Sequence, residues 1–339
     1  MPTTPTLKHE VLELGYGDNV DTDEAMDDIE EHCESWAKYS NPSSPAYDFY
    51  PVSIAELMGE RYRIEHRLGW AGLEKLMDNE MYMQTKVLPS LKDTSHFLVS
   101  QDIFSVPGID ENRHDIFVFP MVGPRLDSVD YPVKDMPMAA RMCAALQLLQ
   151  ALECLHNAGN VHNDVAPGNV MWGLKPFDAT DTATKYQYFG RPKKFIFQCW
   201  KDADFVKPLH FPRNFIKTDK IYLGDFGLAT KSRSERPWGG HVILTVPHKR
   251  PFPEEWEGWT EQRQIFRATF DESLYDQNRP LKPEYSLQAL IKQLRPEISS
   301  DELADIVSKV FIQVPEDRLT ATELLHDKAF QKIVKRYYP

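Results

Sequence analysis

Hydrophobic positions recur along this chain in patterns that name its elements. From Met138 to Asn157, Met142, Ala145, Leu149, Leu152 and Leu155 return every three or four residues, which predicts a helix against a core, with Gly159 placed to stop it. Tyr62-Arg63-Ile64-Glu65-His66-Arg67-Leu68 alternates in strand fashion and runs into the turn Gly69-Trp70-Ala71-Gly72. Residues 78–88 read as a helix, Asp115 to Phe119 as a short buried strand before Pro120, and Val170-Met171-Trp172 as another strand. A polar and aromatic insertion over 173–218 separates that strand from Ile221-Tyr222-Leu223. Near the C-terminus, Ser299 with Glu302 and Thr320 with Glu323 have capping-box spacing. The first helix so marked buries Leu303, Ile306, Val307, Val310 and Phe311, and the second carries Leu324, Leu325 and Phe330. The pattern predicts an α+β protein.

Composition sharpens this. The chain has 339 residues, 42% hydrophobic and 27% charged, which suits one large folded domain or two lobes and excludes a wholly disordered chain. Its apolar stretches fall short of the roughly 18 to 20 residues a membrane span needs, and Met1-Pro2-Thr3-Thr4-Pro5 carries no signal-region pattern, so an intracellular protein is expected, cytoplasmic or nuclear. Cys33, Cys143, Cys154 and Cys199 form no CxxC pair and read as reduced bystanders.

The net charge of -12 is unevenly placed. Eleven of the 51 acidic residues and one of the 39 basic ones lie in residues 1–34, so the rest of the chain is close to neutral. Residues 1–45, ending in the turn formers Ser40-Asn41-Pro42-Ser43-Ser44-Pro45, read as a solvated, disordered acidic leader and linker, with an acidic docking arm as the alternative. The start of the acidic run mimics a calcium loop, but no glycine stands at its sharp turn and the ligand spacing fails.

The chemistry-bearing residues lie after the long helix. His162-Asn163-Asp164 followed by Asn169 has the spacing H-x-D-x-x-x-x-N, and Asp225-Phe226-Gly227 stands at the end of an apolar strand. Phosphoryl transfer needs metal ions to spread phosphate charge and a carboxylate to orient the attacking hydroxyl. Asp164 suits the second task, and the oxygens of Asn169 and Asp225 suit Mg2+. The reading requires these three side chains to meet; an Asp225 far from the other two, or directed into solvent, would end it.

This constellation resembles the protein kinase family, and most closely the SR-protein kinases and their fungal relatives. Tyr50-Pro51-Val52, Arg61-Tyr62-Arg63-Ile64 and Leu68-Gly69-Trp70 look like their approach to the glycine-rich loop, and Phe117 to Pro124 looks like their hinge. Pro315-Glu316-Asp317-Arg318-Leu319-Thr320-Ala321 is similar to the late C-lobe segment that anchors the activation segment through arginine. The resemblance implies a two-lobed protein-kinase-like fold, with a reduced β-rich N-lobe over 46–121 and a mainly helical C-lobe over 122–339. It implies ATP and Mg2+, nucleotide contacts from Gly69, Gly72, Phe119, Pro120, Met121 and Val122, and supporting roles for Glu80, His162, Phe226, Gly227 and Arg318. The substrate implied is Ser or Thr of a protein, Arg-Ser-rich by resemblance, although the near-neutral body does not itself suggest a basic-substrate groove. No direct nucleic-acid or membrane partner is expected.

Departures fall where catalysis is assembled. Only eight positions separate Gly72 from Glu80, the candidate helix glutamate, so the two intervening strands and their phosphate-binding lysine have no room. Neither Lys75 nor Lys86 sits in a V-A-I-K-like strand, and the first strand is expected to present an open edge. Loss of one oriented charge-stabilising donor costs about 10² to 10³ in rate. Pro251 to Trp256 fits a late P-L-P-x-x-W segment better than the end of an A-P-E motif, so the peptide platform is missing and Arg318 loses its glutamate partner. The abrupt junctions near Gly72 and between Gly240 and Pro251 suggest a splice form or a gene model that skipped coding segments; transcripts uniformly joining these residues would refute the latter. Ala166 replaces the usual lysine, and Pro167-Gly168-Asn169 also occurs in aminoglycoside- and choline-type kinases, against which Gly227 and the hinge argue. The expectation is a protein Ser/Thr kinase of impaired activity, with a nucleotide-binding pseudokinase scaffold as the alternative and a small-molecule kinase third.

Overall fold

Strand pairing in the N-terminal half is confined to short ladders. The computed structural model describes residues 15–20, 50–66, 77–108, 113–128, 131, 135–176, 180–198, 201–206, 209, 211–232, 300–310 and 318–338. Strand β1 (Asp18–Asn19) lies in the leader, and β2 (Leu57–Met58) and β3 (Tyr62–Arg63) form a small antiparallel hairpin. Of the alternating run from Tyr62 to Leu68, residues 62–66 are described, and among them Tyr62 and Arg63 form paired strand; β3 pairs with β2 on one side, and among the described residues its other edge carries no ladder, as expected of an open edge. Helix α1 (Met77–Tyr82) continues as a π-turn over Met83–Val87 and a tight turn over Leu88–Ser90, where Pro89 ends regular helix.

Strands β4 (Asp102–Pro107) and β5 (Arg113–Val118) pair antiparallel across six residue pairs. The expectation of a buried strand is not met: Arg113 and Asp115 are exposed and the other residues of β5 are half-buried, because its one hydrogen-bonded neighbour among the described residues is β4. Tyr62 stacks on Phe104 at 5.8 Å, and its hydroxyl donates to Asp102 Oδ2 at 2.8 Å, which seats the hairpin on β4.

Helix α2 spans Met138–Asn157, as its periodicity predicts, and Gly159 follows it with φ of 73°. By length and composition alone α2 would suffice for a membrane span, a test that a core helix also meets. Its two faces are both used for packing. Ala140, Ala144, Ala151 and Leu155 join the main core with Met83, Leu88, Trp172, Ile221, Leu223 and Phe226, while Met138, Met142, Leu146 and Leu149 pack against the C-terminal helices.

After the two-residue β6 (Asn160–Val161) come β7 (Val170–Leu174), helix α3 (Thr182–Phe189), β8 (Lys193–Gln198), β9 (Asp202–Val206), β10 (Ile216–Leu223) and β11 (Thr230–Lys231). β7 and β10 pair antiparallel from Ile216 opposite Leu174 to Leu223 opposite Val170, so the insertion is an excursion from one hairpin. It closes over the N-terminal segment: Asp204 N donates to Val52 O at 3.1 Å, Ile54 N donates to Asp204 Oδ2 at 2.8 Å, and Lys185 pairs with Glu65 at 2.7 Å. Parallel pairing of β1 with β8 corrects the reading of the leader as wholly unstructured, since backbone pairing holds residues whose charges favour solvation.

Helix α4 (Ser300–Val310) packs on α5 (Ala321–His326) and α6 (Lys328–Tyr337). The Thr320–Glu323 capping box forms as predicted; Ser299 lies outside the described residues. The expected single last helix is two, because Asp327 is extended and caps α6 through the amides of Ala329 and Phe330.

Candidate functional site

A loop that enters one strand of the β7–β10 hairpin and a loop that leaves the other converge beside α1. The first follows β6 and holds His162, Asn163 and Asp164, then a tight turn over Pro167–Asn169 delivers the chain to β7. The second leaves β10 at Gly224. Gly224 N donates to the Asn169 carbonyl at 2.9 Å, which fastens the loops together immediately before Asp225. Asn169 Nδ2 donates to both the backbone oxygen and Oδ2 of Asp164, each at 2.9 Å, and this aims its amide oxygen away from Asp164.

His162 is buried between the loops. Its Nε2 lies 3.0 Å from the Gly224 carbonyl, and its Nδ1 faces the Asp164 amide at 3.3 Å. Those two contacts are satisfied together only by neutral imidazole with the proton on Nε2. Burial lowers its pKa despite the Gly224 carbonyl and the charges of Asp225 and Asp164, which favours the neutral ring. Phe226 is fully buried with its ring 4.9 Å from that of His162 and 5.9 Å from that of Phe97, so the aromatic residue anchors the turn that presents Asp225.

Asn163 and Asp225 both adopt left-handed backbone, with φ of 64° and 62°. For residues with a Cβ this conformation costs about 1–2 kcal/mol, and it persists where surrounding contacts hold it. The Asn163 amide supplies such contacts by donating to Thr230 Oγ1 at 2.8 Å and to the Leu228 carbonyl at 3.1 Å.

No protein-family model matches the chain, and no curated protein matches it. The site therefore stands on its own geometry.

Helix α1 brings two neighbouring residues to the second loop. Asn79 Nδ2 donates to the carbonyls of Phe226 at 3.0 Å, Gly227 at 2.8 Å and Ala229 at 2.8 Å. Glu80 Oε1 accepts from Gln84 Nε2 at 2.8 Å, and Gln84 in turn accepts from the Ser100 amide and donates to the Leu98 carbonyl. Glu80 Oε2 is buried against the Phe226 backbone without a well-formed hydrogen bond among the described residues. Burial pushes the Glu80 carboxyl up, and the charge of Asp225 adds to this against the hydrogen bond from Gln84. Neither Lys75 nor a glycine of the 69–72 turn enters this account, since residues 67–76 lie outside the described residues.

Phe119, Pro120, Met121 and Val122 follow β5 as half-buried extended chain, with the Phe119 ring stacked on Phe117 at 6.1 Å. Beyond them Gly123 N donates to the Trp172 carbonyl at 2.8 Å and Trp172 N donates to the Pro124 carbonyl at 3.0 Å. A Cβ on Gly123 would stand 3.0 Å from the Gly173 carbonyl oxygen, so close approach of backbone to β7 selects glycine there. This connection crosses from β5 to β7, the strand that begins immediately after Asn169.

Asp164 and Asn169 are joined directly, and Asp225 is tied to them through the backbone, by way of the Gly224 amide on the Asn169 carbonyl. Asp164 and Asn169 are half-buried and joined, whereas Asp225 is exposed. The exposure of Asp225 weighs against the requirement that all three side chains meet in one site, and among the described residues the direct side-chain contact joins Asp164 and Asn169 alone. Among the described residues no group of three or more His, Cys, Asp or Glu side chains is placed to hold a metal ion. The donors present, two carboxylates and an amide oxygen, fit Mg2+, which takes one or two carboxylates and keeps its other positions for phosphate and water. Arg318 is exposed just before the Thr320 cap and is not without interactions, and residues 251–256 lie outside the described residues.

Sequence reasoning missed Asn79, Gln84 and Asn163. A short polar residue in the first turn of a helix ordinarily caps or faces water, so nothing in the sequence marks Asn79 as a clamp on a loop almost 150 positions away.

Proposed function

We propose that this chain is a protein-kinase-like phosphotransferase, most similar to the SR-protein kinases, that binds ATP with Mg2+ in the cleft beside α1 and acts on Ser or Thr of a protein. The observation that carries the reading is the union of the two loops, through Gly224 N on the Asn169 carbonyl and Asn169 Nδ2 on Asp164. In this reading the Asp164 carboxylate receives the hydrogen bond of the substrate hydroxyl and aligns it, while the Asn169 amide and the His162 ring hold Asp164 in place. Asn169 and Asp225 would hold Mg2+, which when bound neutralises phosphate charge. In this reading the backbone of Phe119 to Val122, for which no hydrogen bond is made among the described residues, would meet the edge of a base.

One observation favours a second reading. Glu80, the residue that by resemblance would pair with a phosphate-binding lysine, is instead held by Gln84 and lies against the Phe226 backbone, which suits a nucleotide-binding scaffold without effective turnover; Lys75 lies outside the described residues. Two measurements separate the readings. Stabilisation by ATP that requires Mg2+, in a thermal-shift titration of the whole chain, is expected under both. Phosphate transfer to an Arg-Ser-rich peptide that disappears in Asp164→Ala is expected only of the enzyme. No stabilisation by Mg2+ and ATP at millimolar concentration would overturn both.

A further inference from the structure

Residues 15–20 of the leader do more than rest on the insertion. Asp18 N donates to the Pro192 carbonyl at 2.8 Å and Val20 N to the Lys194 carbonyl at 3.0 Å, so the segment adds a parallel strand to the edge of β8. The Arg191 guanidinium reads the segment three times. Its Nε donates to Asp18 Oδ1 at 2.8 Å, and its second terminal nitrogen donates to the carbonyls of Gly15 at 3.1 Å and Gly17 at 3.3 Å. Tyr16 lies under the Arg63 guanidinium, 5.2 Å from the ring centre.

Gly17 fixes the sequence that fits. Its φ is 78°, and an added Cβ would meet the Pro192 carbonyl oxygen at 2.8 Å. A side chain at this position is therefore both strained and obstructed. The other positions are read by a cation over an aromatic ring and by a cation against a carboxylate. These are the features of strand-addition recognition, in which backbone pairing supplies adhesion and side-chain positions supply selectivity.

We propose that the β8 edge, with Arg191 and Arg63, is a docking site for an extended Gly-aromatic-Gly-Asp segment, occupied in the resting chain by the chain's own residues 15–18. The seated segment itself names the occupant. Attachment is reversible for a physical reason: Asp18 and Asn19 are exposed, the Asp18–Arg191 pair is open to solvent, and no buried apolar side chain of residues 15–20 anchors the contact. Residues 21–49 connect Val20 to Tyr50, and covalent attachment raises the local concentration of the segment at β8 into a range that a weak contact can use. A partner protein that presents the same pattern would compete for the edge. The inference is independent of the phosphotransfer reading, because it uses no residue of that cleft.

The test uses the full chain and a fluorescein-labelled peptide of residues 12–22. In Gly17→Val the resident segment cannot seat, and the peptide is expected to bind by fluorescence polarisation at least tenfold more tightly than to the wild-type chain. Adding Arg191→Ala to that variant is expected to abolish binding, and a peptide carrying Gly17→Val is expected not to bind. Hydrogen exchange at the Asp18 and Val20 amides of the wild-type chain gives a reading that needs no variant: protection of both amides supports the seated segment. Equal peptide binding to both chains, binding to neither, or no protection at Asp18 and Val20 would overturn the proposal. A wild-type dimer that becomes a monomer in Gly17→Val would move the occupant to a second copy and overturn the assignment within one chain.

Discussion

Asn79 offers the sharpest test of how the Asp225 loop is held. Its amide nitrogen has two hydrogens and three carbonyl acceptors, those of Phe226, Gly227 and Ala229, all in the five residues that follow Gly224. The Phe226 carbonyl also accepts from the Ala229 amide at 2.9 Å, so the loss of Asn79 falls mainly on the other two. Leaving a partly buried acceptor without its donor costs about 1–3 kcal/mol. Asn79→Ala is therefore expected to lower the free energy of local opening of residues 225–230 by about that amount, which speeds exchange of the Ala229 amide by about 5- to 150-fold. Asn79→Asp keeps the shape and removes the donor, and it sets a carboxylate against three carbonyl oxygens, so it is expected to exchange faster still. The assay is native-state hydrogen exchange with the Leu324 amide, which bonds to the Thr320 carbonyl in α5, as the distant control. Exchange at Ala229 that is unchanged in both variants, or that rises equally at Leu324, would refute a local clamp. Under the phosphotransfer reading, stabilisation by Mg2+ and ATP falls in the same variants by more than their unliganded stability does.

Glu80→Gln removes a carboxyl whose pKa is raised chiefly by burial. A raised folded-state value means that the stability linked to this group is full below its ordinary value of 4.5 and is lost as pH rises through the folded-state value. The melting temperature of Glu80→Gln relative to the wild type should therefore climb with pH across that window, and a difference independent of pH would refute the burial argument. Thr320→Ala breaks a complete capping box at the start of α5, with an expected loss of about 1 kcal/mol in denaturant unfolding. An unchanged midpoint would show that α5 is held by its apolar face alone.

What the sequence made legible was local, and what it hid was brought together from afar. The periodicity of α2 and the Thr320 cap depend on residues within one helix, so both could be read from spacing, and the strand at Val170 to Trp172 announces itself as an apolar run. Asp164 and Asn169 belong to one short loop and were legible together for the same reason. The alternation at Tyr62 to Leu68 overstated its strand because alternation reports a two-sided environment, whereas a ladder also needs a partner, and Leu57–Met58 supplies only two residues of one. The insertion was visible as a change of composition, but its brace on residues 52–65 rests on pairs such as Lys185 with Glu65, more than a hundred positions apart, which no window contains. The leader shows the limit of charge arguments: like charges disfavour compaction, yet three hydrogen bonds from Arg191 and two from its backbone seat residues 15–20.

The electrostatics of the cleft bear on which of the two functional readings its chemistry permits. His162 is held neutral by burial and by two contacts that only the neutral ring satisfies, so it adds no positive charge beside Asp164. The charges that act on His162 are the carboxylates of Asp225 and Asp164, and the charge that acts on Glu80 is again Asp225. A triphosphate brought alone to such a surface meets like charge, and the repulsion weakens with salt only where water reaches it. A triphosphate brought with Mg2+ meets the oxygen donors that a hard cation prefers, at the same positions. Under the phosphotransfer reading, dependence of nucleotide binding on the divalent ion should consequently be steep beside these carboxylates. That dependence bears on occupancy alone; under the same reading, transfer would turn on Asp164, which Asn169 already holds through its backbone oxygen and Oδ2.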